Sequence, residues 1–367
     1  MKILLIGEYS NVHWTLAEGL RSIGHDVTVL SNGDFWKDYP RDIDLSRIPT
    51  KIGGYIYVYK LLKALPRLCH FDIVQLINPM FLELKAEKMF HIYKYLRRNN
   101  KKVILGGFGM DYFWVSTCCE EKPFRYSDFN IGNELRTNTD AIKERRDWLG
   151  TNKEKLNKYI ADSCDGIVTG LYEYWVCYHP KYPNKTVYIP FPIKIDNKSH
   201  INDYSFNKKI NIFIGINKLR SAYKGTDIMF AAAKDLTNKY QDKINLRIAE
   251  SVPFNKYVEL LNNSDIILDQ LYSYTPSMNS LLAMSKGIIC VGGGEAENYE
   301  IINENKLRPI INVVPSYESV YTELEKLILH PEKIPELKRQ SVEYVCKHHD
   351  YMHIAKQYEK FYNNILS

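Results

Sequence analysis

No stretch of the 367 residues reaches the run of about 18 apolar residues that a membrane-spanning helix needs. The opening run, Ile3–Ile6, is too short for the core of a signal peptide and reads as a buried strand ending at Gly7. There is no CxxC pair among the seven cysteines, and the adjacent Cys118 and Cys119 are badly placed for a structural disulfide. That points away from a disulfide or zinc framework and towards thiols in a reducing, cytoplasmic setting. The turn after the first strand, Gly7-Glu8-Tyr9-Ser10-Asn11-Val12-His13, is not a GxGxxG, which argues against a nicotinamide oxidoreductase. Helix-turn-helix, zinc-finger and RRM signatures are all missing, so nucleic acid is not an expected partner.

What is present is ordinary globular material: 45% hydrophobic, 25% charged and 13% aromatic residues. One core rarely grows past about 250–300 residues, so the length implies two domains. The net charge of +6 lies wholly in residues 1–200, and the remainder is neutral. Such an asymmetry suits a first half that meets an anionic surface or substrate.

Short apolar runs alternate with helical patterns along the whole chain. Strands are expected at Lys2–Ile6, Asp26–Leu30, Asp72–Ile77, Lys102–Leu105 and Asp165–Thr169, with helices at Trp14–Ile23 and Leu84–Arg98 between them. Residues 114–160 break the rhythm and read as an insertion on the first domain, with a helix near Asp140–Trp148. The stiff segment Tyr188-Ile189-Pro190-Phe191-Pro192-Ile193 marks a domain boundary. The alternation then restarts at Ile210, Ile244, Ile266 and Ile288, and residues from Ile334 onward are helical. The expectation is an α/β chain of two Rossmann-like parallel-sheet domains: 1–192, 193–345, and a final helix over 346–367.

In such sheets ligands bind at the carboxyl ends of the strands. After the Ile210 strand, the loop from Gly215 to Gly225 brings Lys218, Arg220 and Lys224 together ahead of a helix. The loop reads either as a diphosphate site or as a solvated basic turn. After the Ile266 strand come Asp269, Gln270 and a helix start at Ser277-Met278-Asn279-Ser280. Ser277 is a good N-cap there, and the first-turn N–H groups suit a phosphate. Gly292-Gly293-Gly294-Glu295 forms a further turn at the same edge. In the first domain His13 and Asp111 follow strands. His13 reads as a general base or as a helix-start residue that binds acceptor, and Asp111 as its orienting partner, a ligand contact or a loop brace. His349 and His353 share a helix face but have no Cys or Glu at ligand spacing, so no metal is expected.

Tyr223-Lys224-Gly225-Thr226-Asp227, Ala283-Met284-Ser285-Lys286-Gly287, the Ile189–Ile193 linker and the opening Gly24-His25-Asp26-Val27-Thr28-Val29-Leu30 resemble GT-B glycosyltransferases. The nearest likeness is to the retaining family 4 type, which includes bacterial capsular and surface-polysaccharide enzymes. The resemblance implies two domains facing a central cleft, acceptor on the first and nucleotide-sugar donor on the second, with the last helix crossing back to the first domain. It implies transfer of a sugar to a saccharide or lipid-linked acceptor, with no metal or other cofactor. The sequence departs from the family where two glutamates separated by seven residues are usual: those positions hold Tyr274 and Leu282. Asp269, Gln270, Glu295 or Glu297 would have to substitute, or the chain is a non-catalytic binding module.

Basic residues interleave with apolar ones over Tyr55–Leu68 (Lys60, Lys63, Arg67) and over Tyr95–Lys102 (Arg97, Arg98, Lys101, Lys102). Each reads as a surface helix with an apolar inner face, or as a peripheral contact with an anionic membrane that high salt abolishes.

Overall fold

Four consecutive residues of the first strand, Ile3–Ile6, are almost wholly buried, as a central strand covered on both faces requires. Around it the computed structural model, which describes residues 1–195, 209–217, 220–250 and 254–367, builds a seven-stranded sheet. In chain order its strands are β1 (Lys2–Ile6), β2 (Asp26–Ser31), β3 (Ile43–Asp44), β4 (Ile73–Leu76) and β5 (Lys102–Gly107). A two-stranded hairpin, β6 (Asn130–Ile131) and β7 (Glu134–Leu135), precedes β8 (Gly166–Thr169) and β9 (Thr186–Tyr188). The order in the large sheet is β3-β2-β1-β4-β5-β8-β9, and every pair is parallel.

A second sheet contains β10 (Ile210–Ile216), β11 (Ile244–Glu250), β12 (Ile266–Leu268), β13 (Ile289–Gly292) and β14 (Ile311–Asn312) in the order β11-β10-β12-β13-β14, again all parallel. Its core joins Ile212, Ile214, Ile266 and Val291 to Met229 and Leu236 of helix Thr226–Lys239 and to Val320 and Leu324 of helix Tyr317–Leu329. The chain leaves β10 for β11 on one side and returns to β12 on the other. That makes the gap between the carboxyl ends of β10 and β12 the switch point of this sheet.

The chain divides into two units. Residues Met1–Thr117, Glu144–Lys194 and Asp350–Ser367 form the first, and Cys118–Lys143 with Ile195–His349 form the second. The stretch the sequence assigns as a first-domain insertion, 114–160, is therefore shared: its hairpin portion belongs with the second unit. The C-terminal helix Tyr351–Leu366 belongs to the first unit. It packs on helix Val12–Ser22 so closely that a Cβ on Gly19 would lie 2.7 Å from the Tyr351 carbonyl oxygen. The Tyr351 N–H donates to the Ile193 carbonyl at 3.1 Å, so the returning helix is pinned where the linker begins.

Candidate active site

The second unit holds the residues expected to meet a donor. Gly225 has φ +75°, and a Cβ there would lie 2.9 Å from Leu271 Cβ, so only glycine fits between the β10 and β12 loops. The Leu271 N–H donates to the Lys224 carbonyl at 3.0 Å, tying the two loops together at the switch point. Lys224 is half-buried beside this contact and Arg220 is exposed. Lys218 lies outside the described residues. Gly215 is partly buried in β10 itself, and a Cβ there would approach the Tyr257 ring to 2.9 Å.

Across the switch point Ser277 caps helix Met278–Met284, and its hydroxyl accepts from the Ser280 N–H at 3.5 Å. The same hydroxyl donates to Asp269 Oδ1 at 2.9 Å, and the Ser277 N–H donates to Asp269 Oδ2 at 3.2 Å. Asp269 therefore braces the cap. Met278 is half-buried, Asn279 exposed and Gln270 half-buried, whereas Ser280 is fully buried.

The inserted segment supplies what the sequence did not signal. Tyr274, at the first of the two family glutamate positions, is buried between the Phe124 and Tyr126 rings, at 5.4 and 5.0 Å. Its hydroxyl accepts from the Arg125 N–H at 2.7 Å, and the Arg125 guanidinium lies 4.8 Å from its ring centre. Arg125 also forms ion pairs with Glu295 at 2.8 Å and Glu297 at 2.7 Å, and the Tyr126 hydroxyl donates to Glu295. The carboxylate of Glu295, expected to stand in for a donor-binding glutamate, is thus already occupied within the unit. Leu282, at the second position, is half-buried. Arg136, on the far side of the hairpin, donates to the carbonyls of Tyr223 at 3.0 Å and Ala222 at 2.6 Å and stacks 3.3 Å from the Tyr272 ring centre. It closes the last turn of helix Ser221–Lys224, which carries the cationic loop.

In the first unit His13 and Asp111 are each fully buried but are not partners. His13 Nδ1 contacts the Gly7 carbonyl at 2.8 Å, which makes it the protonated nitrogen, and Nε2 accepts from Gln75 Nε2 at 3.2 Å. Burial pulls its pKa down to about 3. A neutral ring with both nitrogens occupied has no lone pair to offer an acceptor hydroxyl. Asp111 instead caps the short helix Tyr112–Ser116, accepting from the Trp114 N–H at 2.8 Å and from the Tyr178 hydroxyl at 2.7 Å. Burial raises its pKa to about 7. Of the readings open for these two residues, the dyad of base and orienting carboxylate is not formed, because each group is consumed by its own local structure, and Asp111 acts as a brace.

Glu8, which the sequence did not single out, is the carboxyl nearest the end of β1. It accepts from the His13 and Trp14 N–H groups at 3.2 and 2.9 Å, and burial raises its pKa to about 8. The left-handed backbone of Gly7, Ser10 and Asn11 holds this turn in place. Glu8 lines a cavity of about 80 Å³ with Asn32 and Tyr57. An open groove of about 690 Å³ nearby is lined by Arg47, Glu83, Lys85, Asp147 and Lys153. No group of three metal-ligating side chains is found among the described residues.

No protein-family model and no curated protein matches the chain in sequence. Solved structures do match over its full length. Sucrose-phosphate synthase from Thermosynechococcus elongatus aligns over 100% of this chain and 99% of its own, with 10% identity and a TM-score of 0.62. HepE from Anabaena, solved with UDP-glucose, aligns over 99% and 100%, with 11% identity and a TM-score of 0.61. The catalytic domain of starch synthase IV from Arabidopsis thaliana, solved with ADP and acarbose, aligns over 100% and 99%, with 10% identity and a TM-score of 0.58. The architecture is the two-domain α/β GT-B fold.

Proposed function

We propose that this chain is a glycosyltransferase that moves a sugar from a nucleoside-diphosphate sugar to a saccharide or lipid-linked acceptor. The observation that carries the reading is the second unit's switch point, where the Lys224-Gly225 turn faces the Ser277-capped helix start. A charge-assisted cradle there would neutralise a departing diphosphate, the electrostatic work such a reaction asks of the protein. The fold is shared with structures solved with UDP-glucose and ADP, which supports a nucleotide sugar as donor. The polar groove beside Arg47 and Glu83 is the acceptor candidate.

Retention fits the first unit best, since the leaving diphosphate can take the acceptor proton and His13 has no free nitrogen to do so. The setting we propose is bacterial surface-polysaccharide synthesis in the cytoplasm, with the protein peripheral to the inner face of the membrane. Acceptor-dependent release of nucleoside diphosphate from a panel of UDP- and ADP-sugars tests the activity. The anomeric configuration of the product by NMR tests the stereochemistry.

A second reading, a non-catalytic nucleotide- or saccharide-binding module, is favoured by Tyr274 and Leu282 at the two glutamate positions and by Arg125 on Glu295. Tight nucleotide binding with no release of diphosphate under any acceptor would establish it.

A further inference from the structure

Helix Lys51–Ala64 buries Gly53, Tyr57, Leu61 and Ala64, a stripe at three- and four-residue spacing. Its opposite face is equally apolar yet open to solvent: Ile52 is 72% exposed, Tyr55 79%, Tyr59 67% and Leu62 59%. Eight of the fourteen exposed large hydrophobic side chains among the described residues fall between Phe35 and Leu62. The helix thus has the apolar inner face that the sequence offers and a second, solvent-facing apolar stripe besides. Concentrated exposure of this kind marks a surface that something else covers.

The charge around the patch says what covers it. Residues 47–68 contain five cations and no acid. Lys60 is paired with Asp44 at 2.9 Å, whereas Arg47, Lys51, Lys63 and Arg67 have no ion-pair partner among the described residues. The other basic cluster is partly neutralised: Arg97 pairs with Asp165 at 2.5 Å and Lys101 with Asp72 at 2.7 Å, and only Arg98 has no ion pair among the described residues. A second copy of this chain is a poor occupant, because a symmetric contact would set like charges against each other.

We propose that this face docks the first unit on an anionic phospholipid bilayer. The helix, about 21 Å long, lies in the interface plane. Ile52, Tyr55, Tyr59 and Leu62 reach the acyl boundary, and Lys51, Lys63 and Arg67 meet headgroup phosphates. Tyr57, on the inner face of the same helix, lines the cavity that Glu8 closes, so the docked surface backs directly onto the end of β1. The inference deepens the proposed peripheral location but does not rest on glycosyl transfer, and its readout is lipid binding alone.

The test is flotation of the full chain with phosphatidylcholine vesicles, with and without phosphatidylglycerol, at about 0.1 M and 1 M salt. Wild type should bind the anionic vesicles far more tightly than the neutral ones, and high salt should reduce binding to about the neutral-vesicle level without abolishing it, because apolar burial is not screened. Tyr55→Ser/Tyr59→Ser/Leu62→Ser should weaken binding at least tenfold and make it vanish in high salt. Lys51→Glu/Lys63→Glu/Arg67→Glu should weaken low-salt binding about a hundredfold. All six side chains are exposed, so both variants should melt like wild type. Wild type that fails to float, binds neutral vesicles equally, or matches the serine variant would overturn the proposal. So would a wild-type dimer that the serine variant dissolves in the absence of lipid.

Discussion

Three buried ionisable groups sit within reach of the first unit's strand ends, and burial dominates all of them. His13 is neutral with both nitrogens engaged, so His13→Ala leaves the Gly7 carbonyl and the Gln75 amide unpaired beside a cavity. We expect it to cost about 2–4 kcal/mol of stability while turnover falls tenfold or less. A thousandfold loss of turnover in a variant that melts normally would make the histidine a base after all. The carboxyls set the pH dependence. Glu8 rises from 4.5 to about 8 and Asp111 from 3.8 to about 7, so the folded state holds protons that the unfolded state has released. Stability therefore falls as pH rises through those windows. His13 works in the opposite sense, because only the unfolded state takes up its proton between about 3 and 6.5, and it offsets part of the fall there. Above 6.5 that offset is gone, and chemical denaturation should show the first unit losing stability up to about pH 8. Asp111→Asn should flatten the fall between about pH 4 and 7 and leave the Glu8 part towards pH 8, and an unchanged slope below pH 7 would show that the Asp111 carboxyl ionises freely in the fold.

Among the elements, the segment 118–143 changes the character of the second unit most. It inserts Phe124, Arg125, Tyr126 and Arg136 around the β10 and β12 loops and ties Tyr274, Glu295 and Glu297 into an internal network. Arg136→Ala removes the donors on the Ala222 and Tyr223 carbonyls and should lower the stability of the second unit by about 1–3 kcal/mol. Loosening the turn under Lys224 should also weaken nucleotide binding. Arg220→Ala or Lys224→Ala should each reduce affinity for the cognate nucleoside diphosphate by roughly ten- to a hundredfold with no change in melting. Calorimetry separates the two effects, and unchanged affinity in both loop variants would place the diphosphate elsewhere. The Lys-Gly pair and the serine cap were legible because turn and cap chemistry are local. The partners of Glu295 were not, because Arg125 lies 170 residues away and nothing near either residue signals the pairing.

At the scale of the whole molecule, the first unit is completed by the last eighteen residues. Tyr358 and Tyr362 are fully buried, the Tyr362 hydroxyl donates to Gln75 at 2.9 Å, and Glu359 lies 3.0 Å from His25. Ending the chain before Asp350 should therefore expose helix Val12–Ser22 and withdraw one support of the Gln75–His13 pair. Hydrogen exchange should show β1 and that helix losing far more protection than β10–β13, and uniform protection would mean that the helix is dispensable. By itself the sequence determined the alternation of strand and helix, the break near Ile193, the Lys224-Gly225 turn and the Ser277 cap. Each follows from a local period, a fixed backbone angle or a nearby hydrogen bond. Tertiary structure alone decided which apolar stripe of helix Lys51–Ala64 is buried, since both satisfy the helical period and only packing distinguishes them. It also decided that His13 is spent on Gln75, 62 residues away, and that Arg125 holds Glu295. Contacts across such separations are set by how elements stack, and no spacing within the chain encodes them.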